Sequence, residues 1–189
     1  MTTPSFWGLE QDQTQNWAYM NDVFTKEECQ TIIEIGNKNL MPGTTVNDDK
    51  VRESEVSWLY PNEDMEWVFR RLTDAVMSLN SQFFKFDLIG FGEGFQFTKY
   101  EAPSGRYGKH IDKILNHQVR KLSLTVQLSD PSEYEGGELA LQFGSEEDLM
   151  PKEHGKLIIF PSYILHEVKP VTEGTRYSLV AWVTGKPFK

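Results

Sequence analysis

The period of the hydrophobic pattern changes close to residue 91. Before that point, apolar residues recur every three or four positions in two stretches, which predicts two amphipathic helices. The first helix begins at the capping box Thr25–Glu28 and ends near Asn39. The second carries one apolar stripe from Met65 to Leu79.

After residue 91 the apolar and polar positions alternate, which predicts strands. These strands are Phe91–Tyr100, which glycines interrupt, and Leu122–Leu128, Glu138–Phe143, Lys156–Phe160, Ile164–Val168 and Arg176–Trp182. Many short strands with no helix between them are typical of an antiparallel sandwich or barrel. The segment Gly144–Gly155, with its acidic run Glu146–Asp148, is predicted to be a solvated loop.

Composition narrows the class of protein. A chain of 189 residues with 39% hydrophobic residues has the size and core of one globular domain. The formal net charge of −9 disfavours nucleic acid as a general partner. The single cysteine, Cys29, excludes an internal disulfide, and no apolar run approaches the roughly 20 residues of a membrane-spanning helix. Because the N-terminus also lacks the pattern of a signal peptide, we expect a cytoplasmic protein without membrane contact.

Two histidines and an aspartate have the spacing of a metal site. His110 and Asp112 are two residues apart, so on a strand their side chains point to the same face. On their own they are better explained by a surface or hydrogen-bonded pair, but His166 on a later strand provides a third ligand. Two imidazoles and one carboxylate leave coordination positions open, which suits a non-haem Fe(II) better than a closed structural zinc site.

Arg176 indicates an anionic ligand. Arg176, Ser178, Val180 and Trp182 share one face of the last predicted strand. A guanidinium buried in a barrel without a partner costs roughly 3–5 kcal/mol. Since no acidic residue follows nearby on that face, we expect an external dicarboxylate, whose oxygens match the guanidinium fork.

The order of these motifs resembles the Fe(II)/2-oxoglutarate dioxygenases, and among them the prolyl 4-hydroxylase-like branch of oxygen sensors and bacterial or phage enzymes. The motifs are Tyr100…Tyr107-Gly-Lys-His110-Ile-Asp112, Gly136-Gly137-Glu138-Leu139, Phe160-Pro161…His166 and Gly174-Thr-Arg176-Tyr-Ser178. The resemblance covers roughly residues 90–185 and extends back to residues 50–60. It implies an α+β, mainly β fold: a double-stranded β-helix (jelly roll, cupin-like) with N-terminal helices packed on its major sheet. One domain would fill residues 1–189, with helical support in 1–90 and the catalytic β-helix in 91–189.

The resemblance also implies roles for individual residues. His110, Asp112 and His166 would ligate Fe(II), and Arg176 would pair with the distal carboxylate of 2-oxoglutarate. Tyr100, Leu139, Ser178 and Trp182 would line the cosubstrate pocket. Gln127 would line it too, at the position where the oxygen sensors use a tyrosine. Arg52, Trp58 and Tyr107 would contact the substrate, the first two from a mobile finger over residues 46–58.

Some of these residues have a second explanation that the sequence leaves open. Tyr100 and Tyr107 are also typical sheet aromatics. Arg52 is equally explained as a surface charge, and Trp58 as a core aromatic. Ser178 and Gln127 also fit as polar lining residues without an essential role.

The implied activity is hydroxylation of a C–H bond of a prolyl residue in a protein or peptide. O₂ and 2-oxoglutarate would be consumed, succinate and CO₂ released, and ascorbate would serve as reductant for a monomeric enzyme. An alternative is a hydroxylase of a free amino acid or small metabolite, which needs a lid drawn from residues 144–155 or 1–17. A third is a catalytically silent barrel that binds a peptide.

Overall fold

A computed structural model of the chain describes residues 15–44, 51–112, 114–115 and 118–187. Its helices are α1 (Lys26–Gly36), continued by a 3₁₀ turn at Asn37–Asn39, and α2 (Glu66–Leu79), continued by a π-helical turn at Asn80–Phe84. Its strands are β1 (Ala18–Met20), β2 (Met41–Pro42), β3 (Arg52–Glu53), β4 (Glu55–Leu59), β5 (Leu88–Phe91), β6 (Phe95–Glu101), β7 (Arg106–His110), β8 (Ile114–Leu115), β9 (Gln118–Gln127), β10 (Tyr134–Gly136), β11 (Leu139–Phe143), β12 (Glu146–Leu149), β13 (Leu157–Pro161), β14 (Leu165–Val168) and β15 (Val171–Gly185).

Both predicted helices are confirmed. The Thr25 hydroxyl accepts from the Glu28 N–H at 3.3 Å, and the Glu28 carboxylate accepts from the Thr25 N–H at 2.9 Å, which is the reciprocal capping box. The apolar stripe of α2 is buried at Val68, Leu72 and Leu79. Within the described ranges, neither helix is long and apolar enough to cross a membrane.

The strands form two antiparallel sheets, as the alternating pattern predicts. The larger sheet has the order β1-β13-β9-β15-β6-β4-β2, with β5 and β10 paired along β15 and β8 along β9. The smaller sheet has the order β12-β11-β14-β7-β3. The mainly β architecture is that of a double-stranded β-helix.

Two apolar cores surround the larger sheet. On one side, the two helices pack on its alternating residues, including Phe97, Leu124 and Leu179. A second cluster, which includes Tyr100, Leu141 and Phe160, draws on strands of both sheets. The larger sheet is therefore covered on both faces. Its face toward the smaller sheet carries buried polar residues of β9 and β15, which can form a site.

One break in a strand is confirmed, and one loop prediction is wrong. The predicted strand Phe91–Tyr100, with its expected glycine breaks, is divided into β5 and β6 by residues 92–94. The acidic run Glu146–Asp148 is not a loop but part of β12, which pairs with β11 at the sheet edge. Its exposed charges are typical of an edge strand protected against further pairing.

The N-terminal half is more than helical support. Strand β1 pairs with β13, and β4 lies between β6 and β2, so both extend the larger sheet. The predicted finger is also largely paired: β3 joins β7 of the smaller sheet and β4 joins β6 of the larger. Residues 52–58 of the predicted finger are thus paired strands, residues 46–50 lie outside the described residues, and the mobility of the finger stays a prediction.

Candidate metal centre

The three candidate ligands meet where the two sheets face each other. His110, the last residue of β7, is the register partner of His166 on β14. The ligand atoms of His110, Asp112 and His166 all lie within 4.8 Å of one another. His110 Nε2 is 3.6 Å from Asp112 Oδ1, and His166 Nε2 is 3.4 Å from Asp112 Oδ2.

The position of Asp112 differs from the sequence-based expectation. Strand β7 ends at His110, so the carboxylate is not brought to the centre by strand alternation. Instead, the Asp112 N–H donates to the Ser162 carbonyl at 3.0 Å, which holds the chain beside the end of β13. The carboxylate is thereby buried at 8% exposure.

Both imidazoles are oriented by their second nitrogen. His110 Nδ1 is 2.8 Å from the Gly108 carbonyl, and His166 Nδ1 is 2.9 Å from the Ile164 carbonyl. Since a carbonyl oxygen only accepts, each Nδ1 carries a hydrogen and donates it. Nε2 is then the nitrogen that points into the centre, which is the usual arrangement of a metal-ligating histidine.

Neutral donors hold the Asp112 carboxylate. Its Oδ2 accepts from Ser123 Oγ at 2.9 Å and from Trp182 Nε1 at 2.8 Å, and Ser123 Oγ lies 3.0 Å from Ser162 Oγ. Oδ1 is the oxygen left for a cation. Sequence reasoning missed Ser123 and Ser162, although the alternation of Ser123 with buried leucines places it on the interior face of β9.

The charges of the three ligands influence one another. Burial, with help from the His166 imidazole, lowers the pKa of His110 to about 4. Burial alone would raise the pKa of Asp112, but His166 and the other donors outweigh it and lower that pKa. Burial works against the charged form of His166 too, but the Asp112 carboxylate outweighs it and raises the pKa of His166. The centre therefore carries an ionised carboxylate suited to a cation.

Arg176 lies on β15, on the face that also presents Trp182 to Asp112. It is 1% exposed, with Nη2 donating to Gln127 Oε1 at 2.9 Å and Nη1 to Ser178 Oγ at 3.4 Å. The guanidinium carbon is 5.3 Å from the centroid of the Tyr100 ring. Gln127, Ser178 and Tyr100 are thus brought to Arg176, as the sequence-based hypothesis requires.

The guanidinium of Arg176 is incompletely satisfied. Its Nε is the one fully buried side-chain polar atom in the described part of the chain without a hydrogen-bond partner. No carboxylate of the described residues forms an ion pair with Arg176. A buried cation with only neutral partners fits a site for an external carboxylate.

The predicted substrate residues surround the metal centre. The Tyr107 ring stacks on the His110 imidazole at 3.6 Å between centroids, and the Arg52 guanidinium carbon is 4.6 Å from the Tyr107 centroid. Trp58 lies 6.1 Å from Trp182, centroid to centroid. Leu139 is 2% exposed and belongs to the apolar cluster that contains Tyr100.

Comparison with known proteins agrees with this geometry. Residues 95–184 match the model of the 2OG-Fe(II) oxygenase superfamily. A PKHD-type hydroxylase from Prochlorococcus marinus is 43% identical over 91 residues, which are 48% of this chain and 41% of that protein. One from Idiomarina loihiensis is 41% identical over 78 residues, which are 41% of this chain and 36% of that protein. The chain spans about two fifths of the length of the curated relatives it matches.

Solved structures show the same fold. A prolyl-4-hydroxylase from Pseudomonas putida superposes with a TM-score of 0.75 at 20% identity, over 92% of this chain and 95% of that one. A prolyl hydroxylase from Trichoplax adhaerens, in complex with a peptide fragment of hypoxia inducible factor, has a TM-score of 0.74 at 16% identity. That match covers 90% of this chain and 84% of the other. The fold is therefore prolyl 4-hydroxylase-like.

Proposed function

We propose that this chain, whose residues 95–184 match the model of the 2OG-Fe(II) oxygenase superfamily, is an Fe(II)- and 2-oxoglutarate-dependent hydroxylase of a prolyl residue in a protein or peptide. The observation that carries the proposal is the buried guanidinium of Arg176. It has no carboxylate partner among the described residues, and it shares a strand face with Trp182, which donates to the Asp112 carboxylate.

The residues present fit both implied groups. His110, Asp112 and His166 would hold Fe(II), because two Nε2 atoms and one carboxylate oxygen converge without a fourth protein ligand among the described residues. Arg176 and Gln127 would hold the distal carboxylate of 2-oxoglutarate. When bound, Fe(II) and 2-oxoglutarate would supply the chemistry by which O₂ hydroxylates a C–H bond, with one oxygen atom entering the product, the other entering succinate, and CO₂ released.

The chain itself contributes orientation and exclusion of water. The two Nδ1 hydrogen bonds fix the imidazole rings, and the Ser123 and Trp182 donors fix the carboxylate. Tyr107 covers the His110 ring, and burial raises the pKa of the Tyr107 hydroxyl. A tyrosine hydroxyl is neutral at physiological pH in any case, and in this proposal the Tyr107 hydroxyl hydrogen-bonds the substrate.

A peptide substrate is favoured over a free amino acid. Both structural neighbours described above are named prolyl hydroxylases, and one was solved with a peptide. A small substrate needs a lid, and part of the candidate lid at residues 144–155 is strand β12, paired with β11. Ascorbate as reductant, a monomeric state and a cytoplasmic location belong to the same proposal.

The test measures succinate and mass together. The purified chain is incubated with Fe(II), 2-oxoglutarate, ascorbate and O₂, with or without a library of proline-containing peptides. We expect succinate release stimulated by some peptides and a gain of about 16 Da on them. His166→Ala should abolish both signals. Stimulation by free amino acids alone would support the small-molecule alternative, and peptide binding without succinate would support the silent barrel.

A further inference from the structure

The six arginines of the chain divide into two groups by their partners. Four form ion pairs with a carboxylate: Arg70 with Glu66, Arg71 with Glu28, Arg106 with Glu53 and Arg120 with Glu93. Arg52 and Arg176 form none with any described residue. Both are at least nine-tenths buried beside the candidate site. Arg176 is assigned to the cosubstrate, so Arg52 is the buried cation whose counterion is unexplained.

Arg52 is held rigidly by neutral groups. Its Nε donates to Ser54 Oγ at 2.7 Å, its Nη2 donates to Gln96 Oε1 at 2.9 Å, and its guanidinium lies over the Tyr107 ring. These contacts use two of the five N–H donors. Nη1 has no hydrogen-bond partner within the described ranges, and it is not among their fully buried unsatisfied atoms, so it remains open to solvent.

The acidic residues next to Arg52 are already engaged. The Glu53 carboxylate accepts from Arg106 and from the Ser104 hydroxyl, and Glu55 accepts from Lys99 at 3.0 Å. Neither is an ion-pair partner of Arg52. The free end of the guanidinium, formed by Nη1 and the second hydrogen of Nη2, can therefore donate two parallel hydrogen bonds to a carboxylate.

The position of Arg52 relates this anion site to the metal centre. Its guanidinium is 4.6 Å from the Tyr107 centroid, and the Tyr107 ring is stacked 3.6 Å from the His110 ring with 15° between their planes. One aromatic ring thus separates the guanidinium from a candidate metal ligand. These distances are short enough for one substrate molecule to present a C–H bond to the metal centre and a second group to Arg52.

We propose that Arg52 binds a carboxylate of the substrate, so that the enzyme selects substrates with a negative charge close to the hydroxylated carbon. This inference rests on the proposed function. The carboxylate has two possible sources: an aspartate or glutamate side chain near the target proline of a peptide, or the α-carboxylate of a free amino acid. The two sources give different results in the test below.

Binding without turnover tests the inference. The Mn(II)- and 2-oxoglutarate-loaded protein is titrated with proline peptides that are identical except for Glu, Gln or Lys beside the proline. We expect the wild-type chain to bind a Glu peptide at least about tenfold more tightly than its Gln counterpart, since charge-assisted pairs are worth at least that. Arg52→Gln should remove the preference, while Arg52→Lys, which keeps the charge, should retain part of it. Arg70→Gln, at an exposed arginine paired with Glu66, is the matched control and should leave the preference unchanged.

A second arm identifies a free amino acid as the source. For this arm the metal is diamagnetic Zn(II), and the 2-oxoglutarate-loaded protein is titrated with L-proline and with L-prolinamide, which lacks the carboxylate, while NMR follows the Arg52 Nε–H signal. A shift with L-proline alone assigns the site to an α-carboxylate. Equal binding of Glu and Gln peptides, together with no difference between L-proline and L-prolinamide, overturns the proposal.

An acidic residue of the chain itself is the remaining competitor. Asp48 and Asp49 lie outside the described residues, so an Asp48→Asn, Asp49→Asn double variant is included. Unchanged charge preference in this variant supports the proposal, whereas a preference that appears only in this variant shows an internal counterion and overturns it. Because these measurements need no hydroxylation, a failed succinate assay contradicts the proposed function separately from the role of Arg52.

Discussion

Replacing Arg176 by methionine should have opposite effects on stability and on cosubstrate binding. In the free protein, the 1% exposed guanidinium has neutral partners and an unsatisfied Nε. Replacing such a buried charge by an apolar side chain of similar size is neutral or stabilising by about 1–4 kcal/mol. At roughly 2–4 °C per kcal/mol for a chain of this length, the melting temperature without 2-oxoglutarate should be unchanged or higher.

The same substitution should strongly weaken the binding of 2-oxoglutarate. Removing one partner of a buried hydrogen-bonded charge pair costs about 2–5 kcal/mol, which corresponds to about a thirtyfold to a few thousandfold loss of affinity. Calorimetric titration of the Mn(II)-loaded protein measures the affinity, and thermal unfolding with and without 2-oxoglutarate measures the stability. Arg70→Met, at an exposed arginine, is the control and should change neither.

Two results would refute this reasoning. If Arg176→Met binds 2-oxoglutarate as tightly as the wild type, the guanidinium does not hold the cosubstrate. If the variant without cosubstrate loses several kcal/mol of unfolding free energy, Arg176 has an internal counterion, and its burial is structural.

Three further predictions concern the metal centre and the fold. Ser123→Ala should lower Mn(II) affinity about tenfold or more, because the aspartate of the centre loses a donor, whereas Ser57→Ala, at another buried hydroxyl, should not; calorimetry measures both. Thr25→Ala should lower the free energy of unfolding by about 1 kcal/mol through loss of the helix cap, with Thr31→Ala in the same helix as control, and a chemical denaturation series showing equal losses would contradict this. Chelation of the metal should lower the melting temperature and speed amide exchange in β7 and β14 more than in β1, and uniform exchange would argue against metal binding between those strands.

Local sequence signals were sufficient for the helices and the central strands. The capping box at Thr25 and the stripe of α2 depend on neighbours within one or two turns, so they can be predicted without the tertiary structure. Strand β12 could not be predicted because its charged residues have low strand propensity, and it exists through pairing with β11. Strands β3 and β4 were missed for a related reason: their partners in β7 and β6 lie between 36 and 55 residues further along the chain.

The candidate site also has a part that the sequence predicts and a part that depends on tertiary contacts. The order of His110, Asp112 and His166 and the position of Arg176 were visible as motifs. The hydrogen bonds that hold them were not, since Ser123 reaches Asp112 only after the chain crosses from one sheet to the other. The contact of Arg52 with Gln96 likewise joins residues 44 positions apart.

The metal centre joins the two sheets, because each sheet contributes a different part of it. His110 and His166 are cross-strand partners in the smaller sheet, while the donors to Asp112 come from β9 and β15 of the larger. Arg120 supports one of these donors: it lies 3.9 Å over the Trp182 ring and is itself held by Glu93 at 2.7 and 2.8 Å. The centre can therefore form only when both sheets are in place.

The distribution of charge separates this site from the rest of the molecule. Near the centre, two buried guanidiniums have only neutral partners, and the one buried carboxylate accepts from a serine and a tryptophan. The other four arginines, including Arg120 over the Trp182 ring, pair with carboxylates, and the core between the helices and the larger sheet is apolar. Because buried charges without a counterion destabilise a fold, the two guanidiniums beside the metal centre are best explained as groups kept for ligands. The proposed ligands, one cation and two anions, would then supply the counterions that the described residues do not.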